Sequence, residues 1–221
     1  MIESLKRQGV LKSKAVEDAL SSVPREEFVW KSSTPISLSY IDEPLPLGST
    51  GQTMSAPDIV VMMLEELELE PGHKVLEIGT GSGYNAALIT KIVSGNHKAD
   101  EGPLVISVER NPDLARFARD NLQRVGLSGL VLVVEGDGSL GYPQQSTEEI
   151  YDRTIVTAGA PRVPMFLKKQ LKIGGVLVAP IGGTAYQRLV KLHKLGKDKF
   201  SEQKLIECMF VPLIGEDAHK F

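Results

Sequence analysis

Residues 75–84 read Val-Leu-Glu-Ile-Gly-Thr-Gly-Ser-Gly-Tyr, an apolar run broken by one acid and followed by glycines at alternate positions. Val75, Leu76 and Ile78 predict a buried strand of a parallel sheet, which must be apolar on both faces. Gly79, Gly81 and Gly83 let the backbone turn tightly and approach a bound group at the mouth of the next helix, expected over about 82–93. A simple strand-to-helix turn needs one or two glycines, so three at this spacing point to a nucleotide-like ligand. A dinucleotide fold would show G-x-G-x-x-G instead, with the third glycine facing a pyrophosphate. The spacing here is G-x-G-x-G with Glu77 two residues upstream, which departs from that dinucleotide fingerprint.

Working outward, the chain alternates helix and strand from residue 55 onward. Residues 55–67 predict a helix with Val60, Met63, Leu64 and Leu67 at core spacing. Strand 104–109, helix 112–125, strands 130–135 and 150–156, helix 164–171 and strand 175–181 follow. This is the pattern of a doubly wound, mostly parallel α/β sheet of Rossmann-like type. Residues 189–195 and 204–213 predict two further strands separated by 196–203, close enough for an antiparallel C-terminal hairpin. Before the core, residues 1–30 predict two short helices, the second over about 14–21 and ended by Pro24. Residues 31–54 predict an irregular loop whose apolar content (Ile36, Leu38, Tyr40, Ile41, Leu45, Leu47) marks it as a lid packed on something. The expected organisation is one domain over 1–221: N-terminal helices and substrate loop at 1–54, cofactor core at 55–181, hairpin at 182–221.

Composition narrows the function. The 221 residues are 42% hydrophobic and 24% charged, with a net charge of −3, so no general positive field exists for nucleic acid. The single cysteine, Cys208, cannot form an internal disulfide, the N-terminus lacks the apolar core of a signal peptide, and no apolar run matches a membrane span. A cytoplasmic protein that acts on neither nucleic acid nor membrane is expected. The four histidines lack metal-ligand spacing, so no metal is expected. Nothing in the sequence signals an oligomeric state.

In an open α/β sheet, ligands bind at the C-terminal ends of the strands. Glu109 ends the second core strand and could accept two hydrogen bonds from the vicinal hydroxyls of a ribose; alternatively it caps the following helix. Asp137, with Gly138 behind it, could aim at the exocyclic amine of an adenine; alternatively it is a turn aspartate.

Residues 40–48 (YIDEPLPLG), 51–57 (GQTMSAP), the 75–89 motif, 135–138 (EGDG), 151–164 and 210–215 (FVPLIG) together resemble protein-L-isoaspartate O-methyltransferases, of the class I S-adenosylmethionine-dependent methyltransferase superfamily. The segments occur in that family's order over nearly the whole chain, and the loop before the first core helix is peculiar to it. The resemblance implies S-adenosylmethionine as cofactor, S-adenosylhomocysteine as product, and isoaspartyl-containing peptides and proteins as substrates. It places the active-site serine at Ser55, substrate contacts at Gln52, Thr53 and Ser55, and cofactor contacts at Glu77, Gly79, Gly81, Gly83, Glu109, Asp137 and Gly138. Asp58 and Ile214 depart from the family's pattern. Ser55-Ala56-Pro57-Asp58 also fits a helix cap, which competes with a catalytic serine. Because the acceptor carboxylate is ionised at neutral pH, no strong base is needed. Ser55 and N–H groups at the helix N-terminus are then expected to hold it. The rival readings are a methyltransferase for small molecules or nucleic acid, a nicotinamide-dependent dehydrogenase, and a non-catalytic cofactor-binding protein.

Overall fold

The computed structural model describes residues 1–32 and 34–220; Ser33 in the lid and Phe221 lie outside the described residues. Two short helices, α1 (Ile2–Arg7) and α2 (Lys14–Ser22), open the chain. Ser13 caps α2 by accepting from the Val16 N–H, and Val16, Ala19 and Leu20 turn one buried face inward. The 31–54 loop carries a 3-10 turn at Ile36–Leu38 and a minimal antiparallel ladder of β1 (Leu45–Pro46) with β2 (Thr53–Met54). Leu45 and Leu47 from this loop are buried. Each such leucine contributes about 1.5–3 kcal/mol by leaving water, which holds the loop down without regular structure.

The core follows as α3 (Pro57–Glu66), β3 (Val75–Ile78), α4 (Tyr84–Val93), β4 (Val105–Glu109), α5 (Pro112–Arg124), β5 (Val131–Glu135), β6 (Tyr151–Val156), α6 (Met165–Gln170), β7 (Leu171–Gly182), β8 (Gln187–Gly196) and β9 (Lys199–Cys208). The seven core strands form one sheet in the order β5-β4-β3-β6-β7-β8-β9. β5, β4, β3, β6 and β7 run parallel, β8 pairs antiparallel with β7, and β9 pairs antiparallel with β8. Alternation along the strands sends Val75, Val105 and Ile155 toward α3, α4 and α5, and Leu76, Ile106 and Val156 into a second apolar cluster with Leu167 of α6. The doubly wound, mostly parallel sheet is therefore as expected. β3 is the middle one of the five parallel strands, and the winding reverses between it and β6. The switch point, where such sheets bind ligands, falls on the glycine loop.

Three boundaries differ from expectation by more than two residues, the first being β7, which begins at Leu171 rather than at 175. The C-terminal hairpin turns at Lys197–Asp198, so residues 199–203 belong to β9 instead of the connection. On a solvent-facing edge strand these polar side chains cost nothing, while the ladder satisfies their backbone. Residues 209–213, expected to continue that strand, leave the sheet instead. Gly159 N–H donates to the Val211 carbonyl at 2.8 Å, and Leu213 N–H to the Gly159 carbonyl at 2.7 Å, so the segment runs beside the end of β6. Among the described residues, no helix is long and apolar enough to cross a membrane.

Candidate active site

A cavity of about 460 Å³ opens at the carboxyl ends of β3, β4 and β6, within the usual size range for a small-molecule site. Its wall takes Gly79 to Ser82 from the glycine loop, Glu109 to Leu114 from the β4–α5 junction, Gly138, Thr157 and Ala158, the 210–214 segment, and Gln52 to Ser55. Segments from nearly the whole chain thus converge on one space.

The glycine loop is fixed by its neighbours. Gly79 has φ of +94°, a conformation few other residues tolerate, and an added Cβ would collide with the Thr157 hydroxyl. That hydroxyl donates to the Gly79 carbonyl at 2.6 Å, pinning the loop to the end of β6. Gly83 lies outside the cavity wall; a Cβ there would press on Ala118 at 3.3 Å, so it permits close packing of α4 on α5.

Glu109 is buried and lines the cavity. Its two oxygens accept the Gly81 and Asn111 N–H groups, each at 2.9 Å. Capping of α5 falls to Asn111, whose side chain accepts from Asp113 and Leu114. The capping alternative for Glu109 thus gives way to an anchor that ties the glycine loop to β4 and leaves carboxylate lone pairs at the cavity surface.

Glu77 and Asp137 are placed differently. Glu77 is fully buried beneath the loop and outside the cavity wall, accepting from Asn85 Nδ2 at 2.7 Å and from the Ser107 hydroxyl. Ser107 in turn bonds Thr80 at 2.6 Å, so the acid supports two cavity-lining residues, Thr80 and Asn85, from below. Asp137 accepts from the Ser139 backbone at 2.9 Å and hydroxyl at 2.7 Å, and from the Glu216 N–H at 2.7 Å. Its carboxylate caps a 3-10 turn and holds the C-terminal segment. Gly138 does reach the cavity, and a Cβ there would meet Ile78 at 2.5 Å.

Burial pushes the Glu77 carboxyl up to about 7, against the lowering effect of its two donors. The native state therefore holds this proton more tightly than the unfolded chain, where a glutamate titrates near 4.3. Stability from this group is full at low pH and falls as pH rises from about 4.3 to about 7. Glu77→Gln should remove that dependence, so the stability gap between variant and wild type should shift by about 3 kcal/mol between pH 4 and 8. Chemical denaturation across that range, giving a constant gap, would refute the assignment.

Ser55 does not cap α3. The cap residue is Ala56, and the first helical N–H, of Asp58, is taken by the Asp42 carboxylate from the lid at 2.9 Å. Asp58 accepts from Ile59 N–H at 2.6 Å and stays outside the cavity wall; burial raises its pKa, with Asp42 adding to the effect. The expectation that this helix N-terminus holds the acceptor is thereby corrected: its N–H groups are occupied, by carboxylates that would repel an anion. The Ser55 hydroxyl, by contrast, has no hydrogen-bond partner among the described residues, and Ser55 lines the cavity with Gln52 and Thr53.

Local pattern rules do not single out three contributors to the cavity wall. Tyr84 and Asn85 look like ordinary helix positions, Phe210 to Ile214 like strand, and the start of α5 like packing. Only Thr157, at the end of β6, was within reach of the strand-end rule. Among the described residues, no cluster of three or more histidine, cysteine or acidic side chains could hold a metal.

The sequence model of the family described as Protein-L-isoaspartate(D-aspartate) O-methyltransferase matches residues 1–218. A Staphylothermus marinus protein named protein-L-isoaspartate O-methyltransferase is 50% identical over 220 residues, covering 100% of this chain and 95% of that protein. A Methanopyrus kandleri protein of the same name is 45% identical over 218 residues, covering 99% and 91%. A Plasmodium falciparum structure described under that activity, in complex with S-adenosyl-L-homocysteine, superposes with a TM-score of 0.83 at 25% identity over 96% of each chain.

Proposed function

The chain belongs to the protein-L-isoaspartate(D-aspartate) O-methyltransferase family, and from that premise we propose how its cavity works. The protein is a repair methyltransferase that moves the methyl of S-adenosylmethionine to the carboxylate of L-isoaspartyl residues in damaged proteins. The observation that carries the site assignment is the convergence on one cavity of the glycine loop, Glu109 and the unpartnered Ser55 hydroxyl.

The cofactor fits this wall. Glu109 offers acceptors for ribose hydroxyls, Ile78, Val108 and Leu114 offer apolar surface for a base, and the Gly79–Gly81 backbone allows close approach. When bound, S-adenosylmethionine supplies an activated methyl group. Gly138 contributes through its backbone, whereas Glu77 and Asp137 act by holding other groups in place. Gln52, Thr53 and Ser55 form the acceptor side, with Ser55 donating a hydrogen bond to the acceptor carboxylate. No side chain has to take a proton, because that carboxylate is already ionised. The work left to the chain is orientation, which contributes up to about 7–11 kcal/mol in well-aligned cases. We extend the reading to one domain acting on peptides and proteins in the cytoplasm, not on nucleic acid or membranes.

Ser55→Ala tests the acceptor role, because the side chain caps nothing. Its melting temperature should stay near wild type, a surface change within about 0.5 kcal/mol. Affinity for S-adenosylhomocysteine should hold as well, while turnover on an isoaspartyl peptide drops at least about tenfold. Unchanged turnover would remove Ser55 from the acceptor site.

A further inference from the structure

Arg25 is fully buried, yet no carboxylate lies within ion-pairing distance of it among the described residues. Its Nε donates to the Ser39 carbonyl in the lid at 2.8 Å, and its Nη2 to the Ser55 carbonyl at 2.7 Å. Its guanidinium carbon sits 4.9 Å from the centroid of the Tyr84 ring, on the helix that follows the glycine loop. Nη1 has no partner. One side chain thus touches the lid, the acceptor serine and the cofactor-side helix, segments 14, 30 and 59 residues away in sequence.

A charge buried without a counterion is costly, and apolar packing of similar volume would usually stabilise a fold at least as well. Burial indeed lowers the Arg25 pKa, with Tyr84 the largest opposing influence. The arrangement is better explained by geometry. Holding the Ser55 carbonyl fixes the backbone on which the Ser55 hydroxyl is mounted, and the planar fork spaces two carbonyls from different segments. Tyr84, whose ring Arg25 faces, is a cavity-lining residue, which references both segments to the cofactor wall.

We propose that Arg25 is a positioning residue for methyl transfer, acting through Ser55 and the lid; this rests on the isoaspartyl reading above. Lysine keeps the charge but, as a point donor, cannot reproduce the fork. Arg25→Lys and Arg25→Met should therefore behave alike. The experiment measures melting, S-adenosylhomocysteine affinity by calorimetry, and kcat and KM on an isoaspartyl peptide, with wild type in parallel. Both variants should keep cofactor-product affinity within about twofold while kcat falls on the order of tenfold to a hundredfold, the range for small misplacements. A Lys variant with wild-type kcat would overturn the proposal, since charge alone would then suffice. Cofactor affinity falling in step with kcat, or failure of both variants to fold, would overturn it too and make Arg25 a core residue only. Wild type that binds the cofactor product but does not turn over the isoaspartyl peptide would instead count against the acceptor assignment.

Discussion

An isoaspartyl peptide should be methylated at least about a hundredfold faster than its aspartyl twin, because the two differ only in where one methylene sits. Moving it from side chain to backbone leaves charge and nucleophilicity nearly unchanged, so electrostatics cannot separate them. Geometry can, since a misplacement on the order of 1 Å costs about a hundredfold in rate. The acceptor side proposed above has the fixed geometry such discrimination needs. Ser55 is held by its carbonyl to Arg25, and the lid is tied through Asp42 to the first N–H of α3. Recognition has to be mainly backbone-directed, so flanking residues should matter little. Asp42→Ala unties the lid while leaving Leu45 and Leu47 in the core, and should narrow the ratio between the twins. Radiolabelled methyl transfer to both peptides checks this. Comparable rates on the two would refute the acceptor assignment without touching the cofactor site.

Replacing Glu109 by alanine should weaken S-adenosylhomocysteine binding by about 1.5–3 kcal/mol, roughly tenfold to a hundredfold or more. Two effects add. The ribose would lose a charged acceptor, and the Gly81 and Asn111 N–H groups, now held at 2.9 Å, would lose their partner. Glu109→Gln, which keeps one acceptor oxygen, should fall between. A nicotinamide dinucleotide should bind neither variant nor wild type, given a glycine spacing that lacks the pyrophosphate turn. Calorimetry showing unchanged affinity in Glu109→Ala would remove Glu109 from the site.

Much of the site was legible in one dimension because strand ends are landmarks. Apolar runs at 75–78 and 105–108 announce buried parallel strands, and the residue ending each run must sit at the switch face, which located Gly79, Gly81 and Glu109. The same rule placed Glu77 and Asp137 near the cavity but could not orient them. Glu77 lies one position before the end of its strand, so the two-residue period turns it under the loop, toward Ser107 and Asn85. Asp137 faced a choice between a ligand and nearby N–H groups, and the C-terminal segment, 79 residues on, brought Glu216 to it.

The sequence by itself determined the sheet, its winding and the position of the glycine loop, because these follow from local periodicity and from backbone conformations that only glycine adopts cheaply. It could not determine what Ser55 does. Ser55-Ala56-Pro57-Asp58 satisfies the local rules for a helix cap, and nothing nearby in sequence says otherwise. Tertiary structure ruled out the cap by delivering Asp42 to the helix end, and it leaves Ser55 on the cavity wall with its carbonyl bound by Arg25. Contacts between segments so far apart depend on how the lid packs, and burial of Leu45 and Leu47 anchors that packing.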